Sequence, residues 1–139
     1  IRLCPADYHR FHFPCDGRVV DERQIPGEYH SVNPLALGLG LNIFCENRRC
    51  YSVLETPQFG RVAMIEIGAF GVGSIVWTFE NSSVKKMQER GYFEFGGSTI
   101  VLLLEHGQVR LAPDLIENST NGFETLVHVG ETIGTAIDK

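Results

Sequence analysis

The sequence predicts a mainly β protein: one compact domain with a sandwich or barrel-like core and one or two short helices. Two observations carry this. Short segments rich in β-branched and aromatic residues follow one another along the chain, each bounded by Gly, Pro, Asn or Asp. The length, 139 residues, suits a single hydrophobic core.

In order, the strand segments are 8–13, 17–20, 51–54, 61–68, 74–78, 91–95, 99–105, 108–111 and 132–136. Segment 61–68 alternates well, placing Val62, Met64 and Glu66 on one face and Ala63, Ile65 and Ile67 on the other. Glu66 thus stands on a mostly apolar face, where a carboxylate at the rim is expected. Helical signal is weak. Residues 114–119 read as one turn, with Asp114 capping it after Pro113. Residues 120–129 read as either a short helix or a strand, and residues 34–41 as a helical turn or an apolar loop.

Hydrophobic residues make up 43% and charged residues 21%, a globular balance that excludes a disordered chain. A net charge of −5 argues against nucleic acid as a partner. Arg48–Arg49 and Lys85–Lys86 are the candidate basic patches, and solvated surface charge is the plainer reading of both. No apolar run reaches the roughly 18 residues that a spanning helix needs. The four cysteines form no Cys-x-x-Cys pair and read as reduced thiols. The chain opens at Ile1 inside a motif and is expected to be the C-terminal part of a longer protein, with any targeting or anchoring segment upstream.

The most informative stretch is Tyr92-Phe93-Glu94-Phe95-Gly96-Gly97-Ser98-Thr99, followed at once by the apolar run from Ile100 to Leu104. Two glycines allow backbone conformations closed to other residues, and the β-branched strand behind them is rigid. A hydroxyl held at such a corner can turn back on the carbonyl of Gly97. Taken alone, the same four residues from Gly96 to Thr99 read as a hairpin turn.

Five histidines are present, and only His9 and His12 are closely spaced, in Tyr8-His9-Arg10-Phe11-His12. Imidazole is the side chain best suited to proton transfer near neutral pH. Residues three apart in a strand face opposite ways, so a bend or bulge is needed to aim both inward. The plainer reading is two half-buried histidines in an aromatic strand. Cys4, His9, His12 and Cys15 also form an acceptable zinc ligand set by residue type.

Together, the Gly96–Thr99 corner, residues 2–17, Gly27-Glu28-Tyr29-His30-Ser31-Val32-Asn33-Pro34, Cys45-Glu46-Asn47-Arg48-Arg49, Val72-Gly73-Ser74-Ile75 and Gly91-Tyr92-Phe93-Glu94-Phe95 resemble phosphatidylserine decarboxylase, in the branch that carries Gly-Gly-Ser-Thr. The ordered set is specific where no single piece is, and it covers nearly the whole chain. The resemblance implies that Ser98 Oγ attacks the Gly97 carbonyl carbon and that the acyl group moves from nitrogen to oxygen. Elimination of the ester gives dehydroalanine, and hydrolysis then releases ammonia and leaves a pyruvoyl group in place of Ser98. Cleavage yields a β chain of residues 1–97 and an α chain of residues 98–139. The pyruvoyl ketone is the implied cofactor, an electron sink for decarboxylation of phosphatidylserine to phosphatidylethanolamine.

The same resemblance makes His12 the base in self-cleavage and ties His9 to the decarboxylation step. It places Tyr29, Ser31, Asn33 and Phe70 at the substrate pocket. It also implies a phospholipid substrate at a membrane surface, peripheral attachment on the cytoplasmic side or to an organelle membrane, and a homodimer. No metal is implied. The cleavage aspartate of the family lies upstream of Ile1, and neither Asp7 nor Asp16 matches it. Phe70-Gly71 stand where relatives usually carry a polar pair, and Met87 stands where a glycine usually follows the lysine. A pyruvoyl decarboxylase of a soluble amino acid and an uncut, non-catalytic binding module are the alternative readings.

Overall fold

The structure is a computed structural model that describes residues 1–38, 40, 42–70, 74–94 and 97–137. Its strands are β1 (Arg2–Leu3), β2 (Arg10–His12), β3 (Gly17–Ile25), β4 (Arg49–Thr56), β5 (Gly60–Gly68), β6 (Ser74–Trp77), β7 (Ser83–Val84), β8 (Glu89–Glu94), β9 (Ser98–Leu104), β10 (Val109–Leu111) and β11 (Gly134–Ala136). Among the described residues there are three helices: α1 (Pro34–Leu37), α2 (Ile43–Glu46) and α3 (Pro113–Thr120). The mainly β expectation holds. Each predicted strand is present with its ends moved by a few residues, and Phe95, Gly71, Leu39 and Leu41 lie outside the described residues.

Six strands form one curled antiparallel sheet in the order β1-β9-β5-β4-β3-β7. Three form a second sheet in the order β2-β8-β6, and β10 pairs with β11. The two larger sheets face each other. Phe11, Ile75 and Phe93 from the small sheet pack with Cys50, Met64 and Ile100 from the large one, and the Phe11 and Phe93 rings meet at 5.0 Å. A second cluster, of Phe13, Cys15, Leu54, Val62 and Val84, continues this core. Strict alternation along β4 and β5 makes the packing possible: Cys50, Ser52, Leu54, Val62, Met64 and Glu66 all turn inward. Each buried aliphatic side chain in this layer contributes about 1.5–3 kcal/mol.

The β4–β5 connection shows how a polar residue fixes a turn. Thr56 Oγ1 donates to the Gly60 carbonyl at 2.8 Å and accepts from the Phe59 N–H at 2.9 Å. Gly60 takes a φ of +66°, which favours glycine.

Two expectations change. Asp114 is not the cap of α3: Pro113 occupies the first helical position, so the cap falls on Ala112 and Asp114 lies in the first turn. Beyond Thr120, residues 121–129 form neither helix nor strand. Phe123, Leu126 and Val129 are all exposed there, so the apolar spacing has no surface to pack on. The two-residue strands β1 and β7 are too short to carry a sequence pattern.

Met87 has a φ of +65°, the one non-glycine residue with positive φ among those described. The Lys85–Gln88 turn therefore demands the left-handed conformation that glycine adopts at little cost, and a side chain there costs about 1–2 kcal/mol. Met87→Gly is expected to stabilise the protein by about 0.5–1 kcal/mol after the greater unfolded-state entropy of glycine is counted. A rise in the urea midpoint at constant m-value would show it.

Candidate active site around Ser98

Ser98 opens β9, opposite Leu3 of β1 and Gly68 of β5. It is 1% exposed. Its side chain shares a face with Ile100, which packs between the sheets. The hydroxyl therefore faces the interlayer. Ser98 Oγ has no hydrogen-bond partner among the described residues, and neither does Thr99 Oγ1 on the other face. A buried polar atom left unpaired costs about 1–3 kcal/mol, so such an atom calls for an explanation in function.

The corner is not a hairpin turn. β8 lies between β2 and β6 in the small sheet, while β9 lies between β1 and β5 in the large one. The chain crosses from one layer to the other between Glu94 and Ser98, a span of at most roughly 14 Å. A Cβ on Gly97 would stand 3.4 Å from Val32 Cγ2 and 3.7 Å from the Leu3 carbonyl oxygen. Gly97 thus lies close beside Val32 of the 27–34 segment.

The register of β2 on β8 separates the two histidines. The His9 carbonyl accepts the Phe93 N–H at 2.9 Å, at the end of β8 nearest Ser98. His12 pairs with Glu89 at the far end, and the five residue steps from Glu89 to Glu94 rise roughly 17 Å. A bulge does occur between Phe11 and His12, with Arg90 as the extra residue in β8. His9 Nδ1 lies 2.7 Å from the Asp7 carbonyl. A carbonyl only accepts, so in the neutral ring the proton sits on Nδ1. Nε2 is then a free acceptor, and it is buried without a partner among the described residues. The His12 ring stacks on Tyr8, with centroids 5.9 Å apart.

Of the pocket candidates, Tyr29 accepts a hydrogen bond from Arg48 Nη1 at 3.3 Å. Ser31 Oγ accepts the Asn33 N–H at 3.2 Å, and Asn33 Oδ1 caps α1 through the Leu35 N–H at 3.0 Å. Phe70 is 75% exposed. Asn47 went unrecognised in the sequence beyond its place in a motif. It is fully buried. Its Oδ1 accepts the His30 N–H at 2.9 Å, and its Nδ2 donates to the carbonyls of His30 and Gly68 at 2.8 and 2.7 Å. It thereby ties the 27–34 segment to the residue facing Ser98. Asp7 closes a local turn by accepting from the Cys4 N–H, whereas Asp16 accepts from the Lys86 N–H, 70 residues away, so each carboxylate is engaged with backbone. The zinc set is dispersed: Cys4 Sγ accepts from Arg2, Cys15 lies in the second core cluster, and no group of three metal-ligating side chains gathers among the described residues.

Glu66 corrects the expectation of a rim carboxylate, because it is fully buried between the sheets. Trp77 Nε1 donates to its Oε2 at 3.4 Å, and Oε1 has no partner among the described residues. Nearby, the buried Arg90 donates to Glu22 Oε2 at 2.6 Å, to Ser52 Oγ at 3.3 Å and to the Phe79 carbonyl. Its guanidinium stacks 3.9 Å from the Trp77 ring centroid. Burial pushes the Glu66 carboxyl up to about 8, against the opposing pull of the Arg90 charge. Glu66 is therefore neutral at pH 7.

A profile described as phosphatidylserine decarboxylase matches residues 1–135. Similar proteins include the phosphatidylserine decarboxylase proenzyme of Fusobacterium nucleatum subsp. nucleatum, 51% identical over 96% of this chain and 45% of the relative. That of Ruminiclostridium cellulolyticum is 49% identical over 100% of this chain and 47% of the relative. That of Chlamydia pneumoniae is 49% identical over 96% of this chain and 44% of the relative. The chain thus spans about half the length of the curated relatives it matches.

The Glu66 shift links stability to pH. The folded state holds a proton up to about 8 that the unfolded chain releases near 4.5. The stability this gives is fully present below 4.5 and is lost as pH rises to about 8. Glu66→Gln keeps the neutral shape without the proton. The stability difference, wild type minus variant, is expected to fall between pH 5 and pH 8 and then level off, as urea titrations of both proteins across roughly that range would show.

Proposed function

The chain belongs to the phosphatidylserine decarboxylase family, and from that premise we propose that it is the catalytic portion of a pyruvoyl-dependent phosphatidylserine decarboxylase. Ser98 cuts the chain from Gly97 and becomes the prosthetic group. The observation that carries this is the buried, unpartnered Ser98 hydroxyl at the crossing between the sheets. Proenzyme, the name its relatives carry, fits a chain that matures by cutting.

The residues present fit a pyruvoyl group at position 98. β1 and β5 would hold it from either side, and Gly68 opposite it brings no side chain. When formed, the ketone supplies an electron sink for the charge left by departing CO₂. The chain's own residues do the rest. The hydroxyl proton goes to a histidine of the 9–12 segment. The resemblance gives that role to His12 and the decarboxylation step to His9. The register, which sets His9 at the end of β8 nearest Ser98 with its buried Nε2 unpartnered among the described residues, favours His9 for both. Tyr29, Ser31, Asn33 and Phe70 line the approach. Asn47 holds their segment against Gly68.

A lipid substrate is favoured over a free amino acid by the apolar surface of this segment. Leu35 and Phe70 are exposed at 84% and 75%, with Phe44 beside the buried Ile43. Their neighbours Ala36, Ile43 and Ala69 pack together under them with Val32. Such a surface suits peripheral contact with a bilayer. No helix among the described residues is long and apolar enough to cross a membrane.

Denaturing mass analysis of the full-length gene product tests the assignment. The expected result is separation between Gly97 and Ser98, with the downstream fragment blocked at its N-terminus by a keto acid. Ser98→Ala is expected to stay whole. The cut protein is expected to release CO₂ from phosphatidylserine vesicles and not from free serine. An intact wild-type chain would overturn the enzymatic reading, and release from free serine alone would overturn the lipid assignment.

A further inference from the structure

Glu66 is the buried titratable group for which the proposed chemistry has no use. It stands on β5 two residues before Gly68 and opposite Ile100, while Ser98 stands opposite Gly68. Both side chains point to the interlayer face. Glu66 and Ser98 are therefore diagonal neighbours on one sheet face, with Cβ atoms roughly 7–8 Å apart, within reach of a long side chain. The residue directly opposite Ser98 is a glycine and puts no side chain between them. Each also carries a buried oxygen with no partner among the described residues, Oε1 on Glu66 and Oγ on Ser98.

We propose that Glu66 is a positioning residue for chain cutting: its carboxyl turns across Gly68, hydrogen-bonds Ser98 Oγ and fixes the rotamer in which the hydroxyl meets the Gly97 carbonyl. The inference rests on the self-cleavage reading above. It assigns no proton transfer to Glu66. The hydroxyl proton still goes to a histidine, and the carboxyl restricts where the oxygen points.

The surroundings give the arrangement a pH dependence. The charged and titratable groups facing Glu66 are Arg90 from β8, Glu22 from β3 and Cys50 from β4, with the Trp77 indole from β6. β9 offers only Ile100 at that level. A neutral carboxyl is free to pair with a hydroxyl, whereas an ionised one is drawn to the Arg90 guanidinium. Since burial pushes Glu66 up to about 8, the switch falls there.

The test measures the rate of separation at Gly97–Ser98 by denaturing mass analysis in the full-length gene product, for wild type, Glu66→Gln and Glu66→Leu. Glutamine keeps a hydrogen-bonding group of the same shape, so Glu66→Gln is expected to cut within about threefold of wild type at pH 7. Leucine cannot hold the hydroxyl, and Glu66→Leu is expected to cut on the order of tenfold slower, the factor one hydrogen bond supplies. The ratio of wild-type to Glu66→Gln rates is expected to fall as pH rises through about 8. A structural role alone would not produce that fall. Circular dichroism establishes that the variants fold. If Glu66→Leu does not, the pH ratio of the other two proteins decides. A flat ratio, or a folded Glu66→Leu that cuts at the wild-type rate, would overturn the proposal while leaving self-cleavage standing. A wild-type chain that never separates would instead remove the reading on which it rests.

Discussion

The structure depends on one constraint: the chain must pass from the small sheet to the large sheet within the few residues between Glu94 and Ser98. Both ends of that passage are anchored. The Phe93 N–H bonds the His9 carbonyl in the small sheet, and Ser98 enters the ladder of the large sheet between Leu3 and Gly68. Phe93 and Ile100, one on each side of the crossing, pack into the same cluster. Closing the two layers on each other therefore fixes both ends of the crossing, and neither end can move without opening core that contributes several kcal/mol. The Ser98 side chain is held where it is by burial rather than by hydrogen bonds of its own.

Arg90 is the polar counterpart of that packing. It is the bulged residue of β8, and its side chain reaches β3 through Glu22, β4 through Ser52 and the chain after β6 through the Phe79 carbonyl. A charge taken this far from water stabilises little by itself, because desolvation offsets most of the Coulombic gain. What it does is specify geometry. The two Nη atoms of the guanidinium reach their partners only when the two sheets sit in one relative position, and the histidine strand β2 is paired to the strand that carries it.

Much of this was legible in the sequence, for definite reasons. Alternation in 61–68 reports a strand directly, and Val62, Met64 and Glu66, read as sharing one face, do share the inward one. Glycine after lysine is absent at Met87, and the backbone there does take the conformation a glycine would serve. Burial of Glu66 was not legible, since alternation names a face without saying what lies over it, and the three-stranded sheet covers this one. Asn47 was hidden for a related reason. Its three hydrogen bonds are to backbone groups of residues 17 and 21 positions away, and no spacing rule reaches that far. The hairpin reading of the Gly-Gly-Ser-Thr corner failed because turn chemistry is local, whereas the choice between pairing two strands and sending them to different layers is made by the whole core.

The same burial that hides the serine also sets the electrical character of the layer around it. Desolvation pushes Cys50 and Cys15 up to about 11 and Glu66 up to about 8, so these groups are neutral at pH 7. The Nη atoms of Arg90 are committed to Glu22, Ser52 and the Phe79 carbonyl. An oxyanion forming on Gly97 would therefore find no free cation within the described part of the layer. Charge that develops in such a medium must be met by dipoles already aimed at it. The 27–34 segment, whose Val32 side chain stands beside Gly97 and which Asn47 ties to Gly68, is one described source of backbone dipoles there.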